Sequence, residues 1–269
     1  MKLERNITIA LAQMNLTPGQ PDLNYEVVKQ YAEMAAAKGA DLVLLPELWA
    51  SGYDLENCLS YATSIQEGSF KKMSLLAAKL EITLGGSLIE SDQGSFYNTF
   101  ALFDHEGELI TKYRKIHLFQ PLEEERYFMG GEQLVMADTP WGSIGLATCF
   151  DLRFPEMFRA YAVKGVELIL LVAEWPLRRI SHWHQLLKAR AIENQCFIAA
   201  VNKVGISNGE PLGGGSLIVN PMGEELSSGA EVEDVIIATV NLDEVRKTRK
   251  WMPVVEKRKP DVYQNFLNE

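Results

Sequence analysis

Three polar side chains lie at the ends of predicted strands, and together they could perform covalent acyl transfer. Glu47 comes after DLVLLP, Lys115 after TKYR and Cys149 after SIGLAT. A thiolate is a nucleophile, and a carboxylate whose pKa is raised by burial can take the thiol proton near neutral pH. We therefore expect Cys149 to attack a carbonyl while Glu47 acts as base. A fixed ammonium stabilises the resulting oxyanion, so Lys115 is expected in that role, helped by the backbone N–H of Phe150.

Each of these residues alone also has an ordinary explanation. A cysteine at the end of a strand is often a small core residue. Glu47 could be a carboxylate at the start of a helix, and Lys115 a solvated charge at a strand edge. Their spacing indicates only that three different strands contribute.

The segments that must position these residues alternate between helical and strand patterns. Strands are predicted at 7–12, 41–47, 82–89, 96–103, 108–115, 143–149, 167–173, 196–202, 215–220 and 235–241, and helices at 23–38, 69–80, 154–164 and 181–194. This alternation predicts a layered α/β fold with mixed sheets. The glycine-rich stretch PLGGGSL (211–217) is interpreted as a tight turn before a strand. The tail from Trp251 is expected to be irregular and to contact a partner subunit.

Composition limits the classes of protein. The chain has 269 residues, 47% of them hydrophobic, which is enough for a sizeable core in one domain, 1–269. Its net charge of −10 disfavours a nucleic-acid partner. Three cysteines, Cys58, Cys149 and Cys196, are an odd number and fit a reducing compartment. Without an apolar window of about 18 residues we expect no membrane span, and a soluble, cytoplasmic protein.

Three blocks of the sequence resemble the signature motifs of the nitrilase, or carbon–nitrogen hydrolase, superfamily. They are LPELWASGY (45–53), YRKIHLF (113–119) and CFDLRFPE (149–156). The resemblance implies a catalytic triad of Glu47, Lys115 and Cys149. It also implies a four-layer α-β-β-α sandwich that commonly forms a homodimer. Hydrolysis would proceed through a thioester or thioimidate on the cysteine, with water as co-substrate and no metal or organic cofactor.

A second glutamate lies between the lysine and cysteine blocks in that family, where it positions the lysine or the substrate. PLEEERYFMGGE offers Glu123, Glu124 and Glu125. Matching the RYF-x-x-G pattern assigns the role to Glu124. A solvated acidic cluster is the alternative for this segment.

Further segments resemble the omega-amidase branch of the superfamily: DLRFPE followed by AEWP (173–176), SHWHQLLKARAIENQ (181–195) and NKVG. That resemblance implies an amidase acting on the terminal amide of small dicarboxylic acid monoamides such as 2-oxoglutaramate. The distal carboxylate of such a substrate needs a cation, and the planar fork of Arg153 fits it. A structural ion pair of Arg153 with Asp151 or Glu156 is the alternative.

Other residues are expected to line the substrate pocket, although aromatic residues at strand ends are often core. They are Tyr53, Phe150, Trp175 and Arg178. The helix that Pro155 begins is expected to lower the pKa of Cys149 through its positive N-terminal end.

Alternative functions stay open at this point. An N-carbamoyl amino acid amidohydrolase, an aliphatic amidase or a nitrilase would use the same triad. Outside catalysis, Cys149 could be a redox-sensing thiol, or the chain an interaction protein that has lost its activity.

Overall fold

The computed structural model describes residues 5–267, which form two six-stranded β-sheets, each with helices on its outer face, and a separate two-stranded ribbon. The strands are β1 (Asn6–Gln13), β2 (Leu42–Leu44), β3 (Thr83–Asp92), β4 (Ser95–Phe103), β5 (Leu109–Arg114), β6 (Met136–Asp138), β7 (Ser143–Thr148), β8 (Leu168–Ala173), β9 (Phe197–Asn202), β10 (Val204–Ser207), β11 (Glu210–Gly213), β12 (Leu217–Val219), β13 (Glu225–Ser228) and β14 (Asp234–Asn241). The helices are α1 (Pro21–Ala37), α2 (Cys58–Tyr61), α3 (Gly68–Leu80), α4 (Pro155–Val163), α5 (Ile180–Asn194), α6 (Asp243–Trp251) and α7 (Pro260–Leu267).

Both large sheets are mixed. The first has the order β14-β1-β2-β3-β4-β5, and the second has the order β13-β12-β9-β8-β7-β6. Parallel pairing joins β1, β2 and β3 in the first sheet and β7, β8 and β9 in the second, and the flanking pairs are antiparallel. Strands β10 and β11 form a separate antiparallel ribbon.

The alternation of side chains along β1 produces two cores. Ile7, Ile9 and Leu11 pack with residues of the second sheet, whereas Ala10 and Ala12 face α1 and α3. This follows from the two-residue period of a strand, which sends successive side chains to opposite faces. Helices α4 and α5 cover the second sheet on its outer side. The predicted four-layer α-β-β-α sandwich is therefore confirmed.

The tail departs from expectation. Instead of an irregular segment, the structure has α7, which begins at Pro260. Proline is well suited to the first position of a helix, because the N–H that it lacks would have no partner there and its fixed φ is already helical. Its place at a subunit interface stays a prediction.

The glycine-rich stretch 211–217 was predicted as a tight turn before a strand, and this is right only in part. Residues 211–213 belong to β11, and Gly214 and Gly215, with φ of 53° and 63°, lie in the connection to β12. Glycine adopts this left-handed conformation without the steric penalty that a side chain incurs. Within residues 5–267, no helix is both long and apolar enough to cross a membrane.

The site is built where strands end. In the first sheet, Glu47 lies shortly after β2 and Lys115 directly after β5; in the second, Cys149 follows β7 and Glu174 follows β8. The two sheets face each other, so these ends converge. Residues on rigid strand ends keep a fixed geometry while the following loops are free to vary.

Candidate active site

Glu47 lies at the centre of a buried hydrogen-bond network and has no exposed surface. Its Oε1 accepts hydrogen bonds from Lys115 Nζ at 2.9 Å, Asn98 Nδ2 at 2.8 Å and Tyr53 Oη at 2.6 Å. Its Oε2 accepts one from the backbone N–H of Glu174 at 3.0 Å. Burial raises the pKa of Glu47 above its ordinary value of 4.5, and the nearby Lys115 opposes this rise. The carboxylate is thus fixed in place and is a stronger base than an exposed glutamate.

Lys115 is held between two carboxylates. Its backbone N–H donates to Asn98 O at 2.9 Å, so it lies opposite Asn98 on the neighbouring strand and both side chains reach Glu47. Its Nζ lies 2.9 Å from Glu47 Oε1 and 2.8 Å from Glu124 Oε1. Burial alone would lower the pKa of Lys115, but Glu124 and Glu47 raise it, so the ammonium stays charged.

Glu124 completes this pair of acids. It is fully buried at the start of the short 3₁₀ turn Glu124–Arg126, and its Oε2 accepts a hydrogen bond from the Phe119 N–H at 2.9 Å. The neighbouring Glu123 and Glu125 are exposed, and Glu123 pairs with Arg126. Of the three candidate glutamates, only Glu124 contacts Lys115 among the described residues.

The Tyr53 hydroxyl connects the two acids. It lies 2.6 Å from Glu47 Oε1 and 2.7 Å from Glu124 Oε1. A phenol has one proton and can donate it to only one of these oxygens at a time. Burial and the two carboxylates raise the pKa of Tyr53, so the hydroxyl remains a donor.

Cys149 begins a short 3₁₀ turn, Cys149–Arg153, at the end of β7. Its φ of 44° lies in the left-handed region, which is uncommon for residues other than glycine. The sulfur lies 3.9 Å from the carbonyl oxygen of Glu174, whose N–H holds Glu47. The candidate nucleophile and the candidate base therefore both contact the backbone of Glu174.

The pKa of Cys149 was predicted in the wrong direction. Burial and then the Glu47 carboxylate raise the pKa of the thiol well above its ordinary value, and Lys115 opposes them only in part. The 3₁₀ turn separates the thiol from α4, which begins at Pro155. Burial of the thiol and the nearby negative charge therefore outweigh any effect of the helix end on its pKa.

A cavity of about 90 Å³ lies beside the thiol. Its walls are formed by Tyr53, Phe119, Leu122, Cys149, Phe150, Arg153, Glu174, Trp175, Pro176, Arg178, Arg179, Ser207, Asn208, Glu210 and Leu212. The thiol is at one side of a small, partly apolar space with several charged groups in its walls. Such a cavity suits a small molecule with a polar or charged end.

Comparison with known proteins agrees with the geometry. The family model for carbon–nitrogen hydrolases matches residues 8–250. The chain belongs to the carbon–nitrogen hydrolase family. This confirms the superfamily resemblance of the three motif blocks.

Two curated relatives of this carbon–nitrogen hydrolase are named as amidases. The 2-oxoglutaramate amidase of Bacillus subtilis (strain 168) is 35% identical, with 95% of this chain and 99% of the relative covered. Omega-amidase NIT2 of Homo sapiens is 32% identical, with 95% and 96% covered. The predicted likeness to the omega-amidase branch is therefore confirmed.

A solved structure adds a chemical observation on a relative. A glutamate-to-glutamine variant of the amidase from Nesterenkonia sp. AN1, with acrylamide added to its active-site cysteine, aligns with a TM-score of 0.85. It is 28% identical, and 97% of this chain and 99% of that chain are covered. In that amidase, a small amide reaches and modifies the cysteine.

The residues expected to line the substrate pocket of this hydrolase all border one cavity, although their roles stay predictions. These are Tyr53, Phe150, Arg153, Trp175 and Arg178. Arg153 pairs with neither Asp151 nor Glu156 within the described chain; it lies 3.2 Å from His182 Nδ1 and over the Trp175 ring at 4.9 Å.

Sequence reasoning missed four polar residues of the site. Asn98 donates to Glu47, and Lys203 Nζ contacts Glu174 Oε2 at 3.4 Å with both side chains buried. Arg179 lines the cavity. Glu174 directly follows β8, and Lys203 directly follows β9. Both could have been predicted from their positions at strand ends, as Cys149 was. Asn98 had a weaker signal, an asparagine inside a strand, where this residue type is uncommon.

The ribbon of β10 and β11 was also missed, although its turn has a clear sequence signal. Asn208 and Gly209 have φ of 47° and 76°, the conformation that favours Asn-Gly in two-residue hairpins. Residues of this hairpin, including Asn208 and Glu210, form one wall of the cavity.

Proposed function

We propose that this carbon–nitrogen hydrolase is an amidase that releases ammonia from the terminal amide of small dicarboxylic acid monoamides, 2-oxoglutaramate foremost. The observation that carries the proposal is the convergence of Glu47, Lys115 and Glu124 beside Cys149, at a small cavity with arginines in its wall. The names of the relatives support the same substrate class.

The first half of the proposed reaction forms a thioester. Cys149 Sγ attacks the amide carbon as Glu47 takes the thiol proton. Because the pKa of the thiol is raised, proton removal accompanies attack rather than preceding it. Lys115 and the Phe150 N–H stabilise the oxyanion. The carbon–nitrogen bond then breaks, Glu47 returns the proton to nitrogen, and ammonia leaves.

The second half releases the acid. Water attacks the thioester carbon while Glu47 takes a proton from it, and the carbon–sulfur bond breaks. The proton returns to sulfur, which restores the thiol. The sum is amide plus water giving carboxylic acid plus ammonia. Glu124 acts as a positioning residue, since its carboxylate is a second acceptor for the Lys115 ammonium beside Glu47.

The experiment that tests this function is ammonia release from 2-oxoglutaramate by wild type and Cys149→Ala. We expect the variant to be inactive, and wild type quenched during turnover to carry the substrate acyl group on Cys149 by intact mass. Cys58→Ala is the matched control, because Cys58 is also a buried free thiol but lies outside the cavity. An active Cys149→Ala enzyme contradicts the proposal.

A substrate panel separates the competing reactions. Carbamoyl amino acids would release carbon dioxide together with ammonia. A nitrilase would hydrolyse nitriles, which contain no amide group. Hydrolysis of either in preference to 2-oxoglutaramate would replace the proposed substrate class while leaving the nucleophile unchanged.

We further propose a cytoplasmic homodimer with the tail from about residue 251 at its interface. Trp251, Val262 and Phe266 expose 71%, 62% and 78% of their surface in the single chain, and such apolar residues favour burial against a partner. The three cysteines, all free, fit a reducing compartment. Sedimentation of the full chain and of Phe266→Glu tests the dimer: the variant should be a monomer.

A further inference from the structure

Three arginines border the cavity, and their charges are balanced differently. Arg178 forms an ion pair with Glu210, with Nε and Oε2 3.0 Å apart. Arg153 contacts a histidine and an indole ring. Arg179 lies with its guanidinium over the Phe119 ring at 5.5 Å. Within residues 5–267, Arg153 and Arg179 have no carboxylate partner.

The carboxylates of the cavity do not neutralise these two cations. Glu174 is paired with Lys203 behind the wall, and Glu210 is paired with Arg178. Burial lowers the pKa of Arg179, the neighbouring Arg178 and Arg153 lower it further, and Glu210 opposes this decrease only in part. Guanidinium groups stay charged in proteins. The cations in this wall therefore repel each other, and a bound anionic ligand would reduce that repulsion.

We propose that Arg179 joins Arg153, the residue already expected in this role from the sequence, in binding the distal carboxylate of the substrate; this rests on the proposed function. Cys149 borders the same cavity, so a short dicarboxylic acid monoamide can place its amide at the thiol and its carboxylate at the arginines. Planar guanidinium forks match carboxylate oxygens in bidentate geometry. Arg178 contributes less, because Glu210 already satisfies its charge.

The test compares succinamate with butyramide, which has a methyl group in place of the carboxylate. The readout is the ratio of kcat/KM for succinamate to that for butyramide, measured by ammonia release. Arg179→Ala should lower this ratio by about 30-fold, through a loss of hydrogen bonds to a charged group. Arg179→Lys should recover part of it, since the charge returns without the fork. Arg178→Ala should lower the ratio by less than about threefold, in line with an already neutralised exposed pair.

The use of a ratio makes the result independent of partial misfolding, which lowers both rates equally. An unchanged ratio in Arg179→Ala, with wild type active on succinamate, overturns the assignment of Arg179 and leaves the proposed function intact. A ratio that falls as far in Arg178→Ala as in Arg179→Ala also overturns it. Wild type that releases ammonia from neither succinamate nor 2-oxoglutaramate overturns the proposed function and the subsite together.

Discussion

The Tyr113 hydroxyl donates a hydrogen bond to Asp151 Oδ2 at 2.7 Å, and this bond joins the strand before Lys115 to the turn that begins at Cys149. Asp151 is fully buried, and Oδ2 also accepts the Thr148 N–H at 2.8 Å. Its Oδ1 accepts the His117 N–H at 3.2 Å. Residues on both sides of Lys115 and of Cys149 are therefore held by one carboxylate, which fixes the ammonium relative to the thiol.

Replacing Asp151 with asparagine should reduce kcat and leave KM almost unchanged. The amide supplies only one acceptor oxygen, so one side of the link is lost and the thiol shifts relative to Lys115. A misplacement on the order of 1 Å can reduce a rate about 100-fold, and steady-state kinetics with 2-oxoglutaramate measures it. Asp138→Asn, at an exposed position, is the control. A purely structural role for Asp151 would lower the melting temperature but preserve kcat per folded molecule.

Glu124→Gln should lower kcat strongly, by about 100-fold. Lys115 then keeps only one of its two carboxylates and loses its fixed orientation between them. Glu125→Gln is the matched control, since Glu125 is adjacent in sequence but exposed. Equal kinetics for both variants would remove Glu124 from the machinery.

The acid limb of kcat/KM should lie above the pH at which an ordinary glutamate titrates. Glu47 must be unprotonated to accept the thiol proton, and its pKa is raised by burial, so activity falls as pH drops through that raised value. The hydrogen bond from Tyr53 lowers the pKa of Glu47. Tyr53→Phe should therefore move the acid limb to still higher pH. A pH profile of wild type and variant decides this, and a limb shifted toward lower pH would refute Glu47 as the base.

Lys203→Met should reduce the free energy of unfolding by about 3 kcal/mol, because it leaves the buried Glu174 carboxylate without its cation. Adding Glu174→Gln to that variant should restore part of the loss, since the uncompensated charge is then gone. Urea unfolding of wild type, both single variants and the double variant gives the coupling free energy. Strictly additive effects would mean that the 3.4 Å contact contributes no coupling.

A layered α/β fold and three polar side chains at strand ends could be predicted from the strand patterns, whereas the four-layer arrangement and the triad roles were implied by the resemblance of the three motif blocks. Apolar strands were long enough to recognise, and Glu47, Lys115 and Cys149 follow their ends. The tail helix α7 was not predicted, because the segment from Trp251 was expected to be irregular, whereas Pro260 is the first residue of a helix.

Other parts of the site depend on geometry that single segments do not encode. Asn98 reaches Glu47 only because β4 and β5 pair in a register that sets Asn98 opposite Lys115. Arg178 and Arg179 are adjacent in sequence, yet one pairs with Glu210 while the other lies over Phe119. The 3₁₀ turn Leu177–Arg179 and the hairpin that supplies Glu210 determine which of the two arginines has a carboxylate partner.

The division of the site between two sheets affects how the protein loses its activity on heating. Glu47 and Lys115 follow strands of one sheet, and Cys149 and Glu174 follow strands of the other. Catalytic activity therefore depends on the apolar packing between the two sheets. If this packing loosens, the thiol moves away from the base, although each strand keeps the hydrogen bonds to its neighbours in the sheet. During gradual heating, enzymatic function should vanish ahead of the far-ultraviolet circular dichroism signal.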